Sequence, residues 1–533
     1  MRRRSRLLPL FLLAAAGASV GAQCTDSTSH SGAITIVGSA ADVRARDAQD
    51  LGRCSLRGSL IRSSRSLTTP LNGNRGVRWA FVPPSIDETY NSALPFSLND
   101  GAQWAGKGLT STISAGLRLE TSSLSLSFSP EFVYQQNKVF PVLPATAPGR
   151  STFSSPWHGG IESADIPLRF GNQSIVAVYP GESWIEYHRG ALAVGASTDE
   201  QWWGPGIRNA LVMSNNAAGI PEVYLRTQRP LKTRLGDVEF RWILGGLTES
   251  LFFDTISTNN IRSLSAAVVT LRVAFDTGLT VGVARSVYAP VASTTKLRFH
   301  ALDVLDRWDQ TPDTIGAAPA HPTDQIMSFF WRWVFPESGF EFYGEWAKLF
   351  PPGLREMLVA PQLHQGFTLG LQWVNPLSVT RAVRLQAEAT MLEQTPPSLR
   401  ATMPSFYVSR FVPQGYTQRG QVIGAAIGPG GSSQFLAGDY LAHRWRAGLE
   451  LGRIRWEDEA YYRSPNGVGF VAHDVSLFAG LRGGVTVGGT DVDVEAITQK
   501  RLNYLFQSAV GGFAQDRAFD VNNLTFKVSV VPR

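Results

Sequence analysis

The residues of this chain best suited to recognition chemistry are aromatic, amide and charged side chains gathered in three clusters. Gln201-Trp202-Trp203-Gly204-Pro205-Gly206-Ile207-Arg208-Asn209 leads into Leu211-Val212-Met213-Ser214-Asn215-Asn216. Tyr90-Asn91-Ser92 leads into Leu98-Asn99-Asp100-Gly101-Ala102-Gln103-Trp104-Ala105-Gly106-Lys107-Gly108, and Tyr416-Thr417-Gln418-Arg419-Gly420-Gln421 leads into Gly424 and Gly428-Pro429-Gly430-Gly431. A pyranose offers C–H faces that pack on an aromatic ring. Its hydroxyls bond to amides, carboxylates and guanidinium groups. Trp202, Trp203, Arg208, Asn215, Asn216, Asp100, Trp104 and Arg419 are therefore the candidate polysaccharide-binding residues. The same groups also serve structure: Gly-Pro-Gly is a turn, and buried Asn or Arg pins polar networks.

Catalytic sets are not found. The eight histidines (His30, His158, His188, His300, His321, His364, His443, His473) show no metal spacing and no HExxH, and the chain has neither GxSxG nor a P-loop. His188 and His473 fall in strand-like runs near serines, yet no nucleophile, base and orienting group can be named together. Asp303, Asp306, Asp309 and Asp313 cluster as hard-cation ligands do, but without EF-hand spacing; a solvated loop explains them as well. The chain is read as a non-enzyme with no catalytic residues, no resident metal and no cofactor.

The elements that must position these clusters alternate with a period of two. Leu124, Leu126 and Phe128 alternate with serines. Val238, Phe240, Trp242 and Leu244 alternate with Asp237, Glu239 and Arg241. The pattern recurs at 269–275, 383–391, 490–496 and 524–530. Successive strand side chains point to opposite faces, so each segment has one apolar and one polar face. A sandwich would show this too. Many segments, however, reach the ~10 residues a tilted strand needs to cross a bilayer. In lipid an open sheet edge would strand unpaired N–H and C=O groups, so the sheet must close. Roughly sixteen to eighteen such segments, within the range of, predict an all-β transmembrane antiparallel barrel with a wet, polar lumen.

Composition agrees. Of 533 residues, 43% are apolar and 17% charged, which excludes a disordered chain. Residues 1–22 read as a secretory signal: Arg2, Arg3, Arg4 and Arg6, an apolar run from Leu7 to about Val20, then a probable cut before Gln23. Cleavage takes four charges from the net +6 and leaves +2, so no basic tract argues for nucleic acid. Export puts Cys24 and Cys54 in an oxidising compartment, bridged or as two free thiols. No later stretch is long enough for a spanning helix.

Residues 39–53 read as a short helix, with Ser39 or Asp42 as cap and Gly52 as stop. The expected organisation is a signal peptide (1–22), a periplasmic N-terminal segment with this helix as lid or plug (23–76), and the barrel (77–533). Long loops at 137–160, 293–324, 350–363, 394–417 and 428–439 mark the outer face. Trp184/Tyr187, Trp331/Trp333/Phe335, Tyr343/Trp346 and Tyr461/Tyr462 suggest interfacial aromatic girdles.

The clusters resemble the outer-membrane capsule assembly protein Wzi family. The resemblance is carried by Asn91-Ser92 with Asn99 through Gly108, and by Trp202-Trp203-Gly204-Pro205-Gly206 with Leu211 to Asn216. Looser matches are Leu60 to Ser63, Glu341 to Trp346, and Gly415 through Arg419-Gly420 with Gly424. It implies a barrel of about 18 strands with a small N-terminal periplasmic helical element, acting as a lectin that tethers capsular or other surface polysaccharide. The expected setting is the outer membrane of a diderm bacterium. Surface polysaccharide and outer-membrane lipids are the expected partners, and the barrel is expected to be a monomer. The alternative function is a porin or channel for small solutes, which the charged lumen face would suit.

Overall fold

The computed structural model describes residues 32–71, 76–160, 162–306, 322–349, 359, 361–394, 405–463, 472–507 and 519–532. The signal region, Cys24, Asp309, Asp313 and most of 350–363 lie outside them.

Twenty-one hydrogen-bonded segments close into one antiparallel barrel. Three pairs of segments are single strands interrupted midway, which makes eighteen strands. In chain order they are β1 (Arg78–Asn91), β2 (Gly108–Glu120), β3 (Leu124–Phe128 and Glu131–Gln135), β4 (Ile175–Tyr179 and Trp184–Arg189), β5 (Leu192–Ser197), β6 (Glu222–Thr227 and Leu231–Lys232), β7 (Gly236–Thr248), β8 (Ile261–Val273) and β9 (Leu279–Pro290). They continue as β10 (Asp324–Phe335), β11 (Phe340–Leu349), β12 (Gln365–Ser378), β13 (Arg381–Met391), β14 (Ser432–Leu441), β15 (Trp445–Arg455), β16 (Val475–Val487), β17 (Thr490–Leu502) and β18 (Val521–Pro532). Strand β18 returns to β1 with Ile86 opposite Val530 and Asn91 opposite Thr525, so no sheet edge remains.

Proline sets the interruptions. Pro130, Pro180 and Pro230 each fall in the gap of a broken strand, where a missing N–H costs the ladder nothing. In β1 the register slips between Val82 and Ser85, across Pro83-Pro84.

The alternation runs as the sequence predicts. On β18, Leu524, Phe526 and Val528 are exposed outward, while Asn523 and Thr525 are buried inside. Charged lumen residues include Arg241, Arg332, Glu341, Arg384 and Glu388, all nearly inaccessible. One stretch departs. Leu264, Ala266 and Val268 of β8, with Ala284 and Tyr288 of β9, also point inward and join the largest hydrophobic cluster. The upper lumen is therefore a packed core and not a wet pore.

Short turns join the strands at the end where β1 starts and β18 finishes; long loops lie at the other end. The expected loop at 428–439 is shorter than read, because Ser432–Leu441 is a strand. Its Gly-Pro-Gly-Gly opening masked a period-two run that pairs with β13 and β15. The girdle reading holds for Trp333 and Phe335, which are exposed on the outer wall. It fails for Trp184 and Tyr343, which face the lumen and are buried. Tyr461 and Tyr462 belong to a helical turn in a long loop, Asp458–Arg463.

Helix α1 (Ala40–Asp50) begins at Ser39, whose hydroxyl accepts the Asp42 amide, and Gly52 follows it at φ 65°. It sits inside the barrel at the short-turn end. Its buried face is polar: Arg46 pairs with Glu341 (2.6 Å), Asp50 with Arg332 (2.9 Å) and Asp47 with Arg384 (3.0 Å). The Asp50 carboxyl lies well above the ordinary aspartate range, raised first by burial and then by the neighbouring Glu341. Cys54, just beyond the helix, is disulfide-bonded.

Candidate binding site

Three long loops fold inward and fill the upper lumen: the β1–β2 loop, the β5–β6 loop that carries the Trp-Trp-Gly-Pro-Gly motif, and the β13–β14 loop. Their apolar side chains include Phe96, Trp203, Leu211, Val212, Tyr407, Tyr416 and Ile423, in one cluster with the barrel wall. Tyr407 donates to the Leu211 carbonyl (2.9 Å) and accepts the Ala425 amide (2.8 Å), and Tyr416 donates to the Val212 carbonyl (2.8 Å). Each buried phenol thus ties two loops together while meeting its own polar need.

The wall grips this plug through carboxylates. Glu388 of β13 accepts the amides of Ile207 (2.6 Å), Arg208 (3.1 Å) and Asn209 (2.9 Å), three successive N–H groups converging on one side chain. Glu345 of β11 accepts the Leu211 amide (3.0 Å). Gly206 is required here, since a Cβ on it would fall 2.0 Å from the Asn209 carbonyl oxygen. Glu388→Ala should strand those three donors at about 1–3 kcal/mol for each one left unsatisfied. The expected result is loosened 206–211 amides in hydrogen exchange with the barrel ladder intact; unchanged protection there would refute the clamp.

The eight predicted residues separate into three groups. Trp202 and Trp203 are buried, at 3% and 0% exposure, so neither ring offers an open face. Asn215 donates to the Val37 carbonyl (3.2 Å) and Asn216 to that of Val422 (2.9 Å), both inside the plug. Arg208 lines a small lumen cavity beside β14–β18, and Asp100 reaches its edge through Lys527, which also lines it. There Asp100 meets Lys527 (2.6 Å), while Arg208 pairs with Glu450 and lies 3.9 Å from the Phe435 ring centre. Trp104 and Arg419 lie at the long-loop face.

That face holds the surface the sequence did not reveal. Trp104 packs on Phe170 (ring centres 4.8 Å), Phe170 on Phe252 (5.9 Å) and Phe252 on Phe153 (5.9 Å). Phe170 also rests against Gly420, beside Arg419, whose guanidinium lies 5.1 Å from the Tyr179 ring centre. All four rings are partly exposed. They come from three separate loops, so no local spacing announces the row.

Catalytic sets are not assembled by these residues. His188 Nε2 meets the Ser122 carbonyl (3.0 Å), and His473 pairs with Asp458. Among the described residues no group of three or more His, Cys, Asp or Glu side chains is placed to hold a metal, and no helix is long and apolar enough to cross a membrane.

Fold and site together define an outer-membrane-type β-barrel of eighteen strands with a plugged lumen. The model of the family described as capsule assembly protein Wzi matches residues 99–288, from the β1–β2 plug loop to the end of β9. Over those residues the chain is similar to that family. Among solved structures, Escherichia coli Wzi superposes with a TM-score of 0.53 at 10% identity, covering 84% of each chain; it is described as an outer membrane protein involved in group 1 capsule assembly and a carbohydrate-binding β-barrel. At that identity the likeness shows the fold alone. Acinetobacter baumannii OccAB2 superposes with a TM-score of 0.38 at 8% identity, covering 84% of this chain and 97% of that one. No curated protein matches the chain.

Proposed function

We propose that this barrel is a non-enzymatic lectin of the outer membrane that holds capsular or other surface polysaccharide at its long-loop face. The observation that carries the reading is the row Trp104, Phe170, Phe252 and Phe153, with Arg419 alongside. A row of partly exposed rings in edge-to-face and tilted contact suits the C–H faces of successive sugar units, and a guanidinium suits their hydroxyls or carboxylates. The family match over residues 99–288 and the carbohydrate binding described for the Escherichia coli protein support the same class of ligand. In this reading residues 1–22 are a cleaved signal, 23–76 form the periplasmic segment that enters the lumen, and 77–533 form the barrel, working as a monomer among outer-membrane lipids. The plug disfavours a porin, because three packed loops and α1 occupy the space that solutes would cross.

The test is retention of the native envelope polysaccharide by purified protein. Trp104→Ala combined with Phe252→Ala should reduce retention about tenfold or more, taking roughly 1 kcal/mol per stacked ring. The heat-sensitive gel mobility of a folded barrel should not change. If the wild-type protein retains no surface polymer, the lectin reading falls. Steady single-channel current through the wild-type barrel in a planar bilayer would favour a channel instead.

A further inference from the structure

The loop between β9 and β10 does not rise away from the barrel. Its helical turns, Thr294–His300 and Asp303–Leu305, fold down over the outside of the wall. The proof lies in the strand alternation. On β9, Ala284, Ser286 and Tyr288 point inward, so Arg285, Val287 and Ala289 point outward; yet all three outward residues are buried. Ser263 and Ser265 of β8 and Gln325 of β10 are outward-facing and buried in the same way. The arm covers them. The Ala301 carbonyl accepts from Trp242 Nε1 (3.1 Å) and Ser265 Oγ (3.0 Å), and Arg285 donates to the Val304 and Asp306 carbonyls (2.7 Å each). Leu297 packs against Gly246, and Val304 is 4% exposed.

The arm's other side is amphipathic. Phe299, Leu302 and Leu305 are 65%, 64% and 73% exposed. Lys296 and Arg298 are exposed and flank the Phe299 ring, at 5.5 and 4.9 Å from its centre. Directly below, toward the short-turn end, the wall shows Val269, Val283 and Phe329, all exposed and apolar. The arm's apolar side chains therefore continue the lipid-facing band just where the outward wall residues turn polar. That is the level of the outer headgroups if the long loops face outward, a point on which this inference rests.

We propose that the arm 294–305 is an outer-leaflet anchor. It inserts Phe299, Leu302 and Leu305 beside the wall and pairs Lys296 and Arg298 with the phosphates of an acylated, phosphorylated glycolipid. Apolar continuity supplies the membrane contact, and the two exposed cations, which form no ion pair among the described residues, supply the preference for an anionic headgroup. The His300–Asp303 pair (2.7 Å) is satisfied within the arm and leaves the basic pair as its outward charge.

The test uses full-length protein in detergent, with diphosphoryl lipid A and the same lipid stripped of phosphate as probes. Wild-type protein should retain the phosphorylated form preferentially, and Lys296→Ser with Arg298→Ser should lower that retention roughly thirtyfold, the worth of two basic residues at an anionic leaflet. Each single variant, a fallback should the double variant not fold, should lower it roughly fivefold on the same basis. Phe299→Ser with Leu302→Ser should lower retention of both probes alike. Equal retention by wild type and variant, or no preference for phosphate, overturns the proposal. So does a shift in oligomeric state with lipid retention unchanged, which would make a second copy the occupant. Wild-type protein that stays monodisperse without detergent would instead defeat the membrane reading itself, so the two failures are told apart.

Discussion

Arg332→Ala is expected to unseat α1 while the barrel stays closed. Arg332 reaches Glu341 (2.5 Å), Asp50 (2.9 Å) and Gln49 (2.6 Å) with its three guanidinium nitrogens, and it is 2% exposed. Removing it leaves two carboxylates facing each other in a dry site, with Arg46 as the remaining cation on Glu341. Breaking a buried pair from one side costs about 3–5 kcal/mol, because the abandoned charge cannot be solvated. Helix α1 has no apolar face to offset that loss; its buried residues are Asp42, Arg46, Asp47, Gln49 and Asp50. The loss should therefore appear as proteolytic cleavage within 40–50 of an otherwise folded barrel. Arg332→Lys should restore only part of the protection, since an ammonium cannot span three partners. Cleavage at the wild-type rate would show that these ion pairs do not hold the helix.

The second large effect is expected at Trp203. Its indole is wholly buried and donates to Gln201 Oε1 (3.1 Å). Its backbone amide bonds to the Met213 carbonyl (3.0 Å) and the segment pairs with Ile61–Ser63. Trp203→Ala empties the centre of the plug at about 3–5 kcal/mol. Hydrogen exchange across 204–218 should accelerate strongly, while the strand ladder stays protected. Trp203→Phe should recover most of the protection. Loss of polysaccharide retention with plug protection unchanged would mean that the ring touches sugar directly, and would return Trp203 to the binding surface.

The same Trp-Trp-Gly-Pro-Gly run shows how far local sequence reaches. Its aromatic and amide content suggested a sugar site, and its glycines a turn. Both readings fit the chemistry of the residues. The choice depends on where Glu388 and Glu345 stand, nearly two hundred positions away in the chain for Glu388. The aromatic row is the converse case. Phe153, Phe170 and Phe252 sit among Ser, Gly and Asn in loops without period, and only the closing of the barrel sets them beside Trp104. The arm over β7–β10 was hidden for a similar reason: Arg285 and Ser265 look like ordinary polar positions until their outward direction is known.

What the sequence by itself determined is the barrel: a period of two fixes which side chains share a face, and lipid admits only a sheet without edges. It also determined α1, through Ser39 and Gly52, and the likeness of residues 99–288 to the capsule assembly family, through motif residues. Which long loops turn inward was decided only by tertiary structure. Filling a lumen means matching apolar residues of 94–106, 204–218 and 405–431 to inward positions on β8 and β9, a pairing between distant segments that no local pattern encodes. The polar grip on α1 was decided in the same way, since Arg44, Arg46, Asp47 and Asp50 find their partners on strands nearly three hundred or more residues away, and only Asp42 pairs nearby, with Arg62.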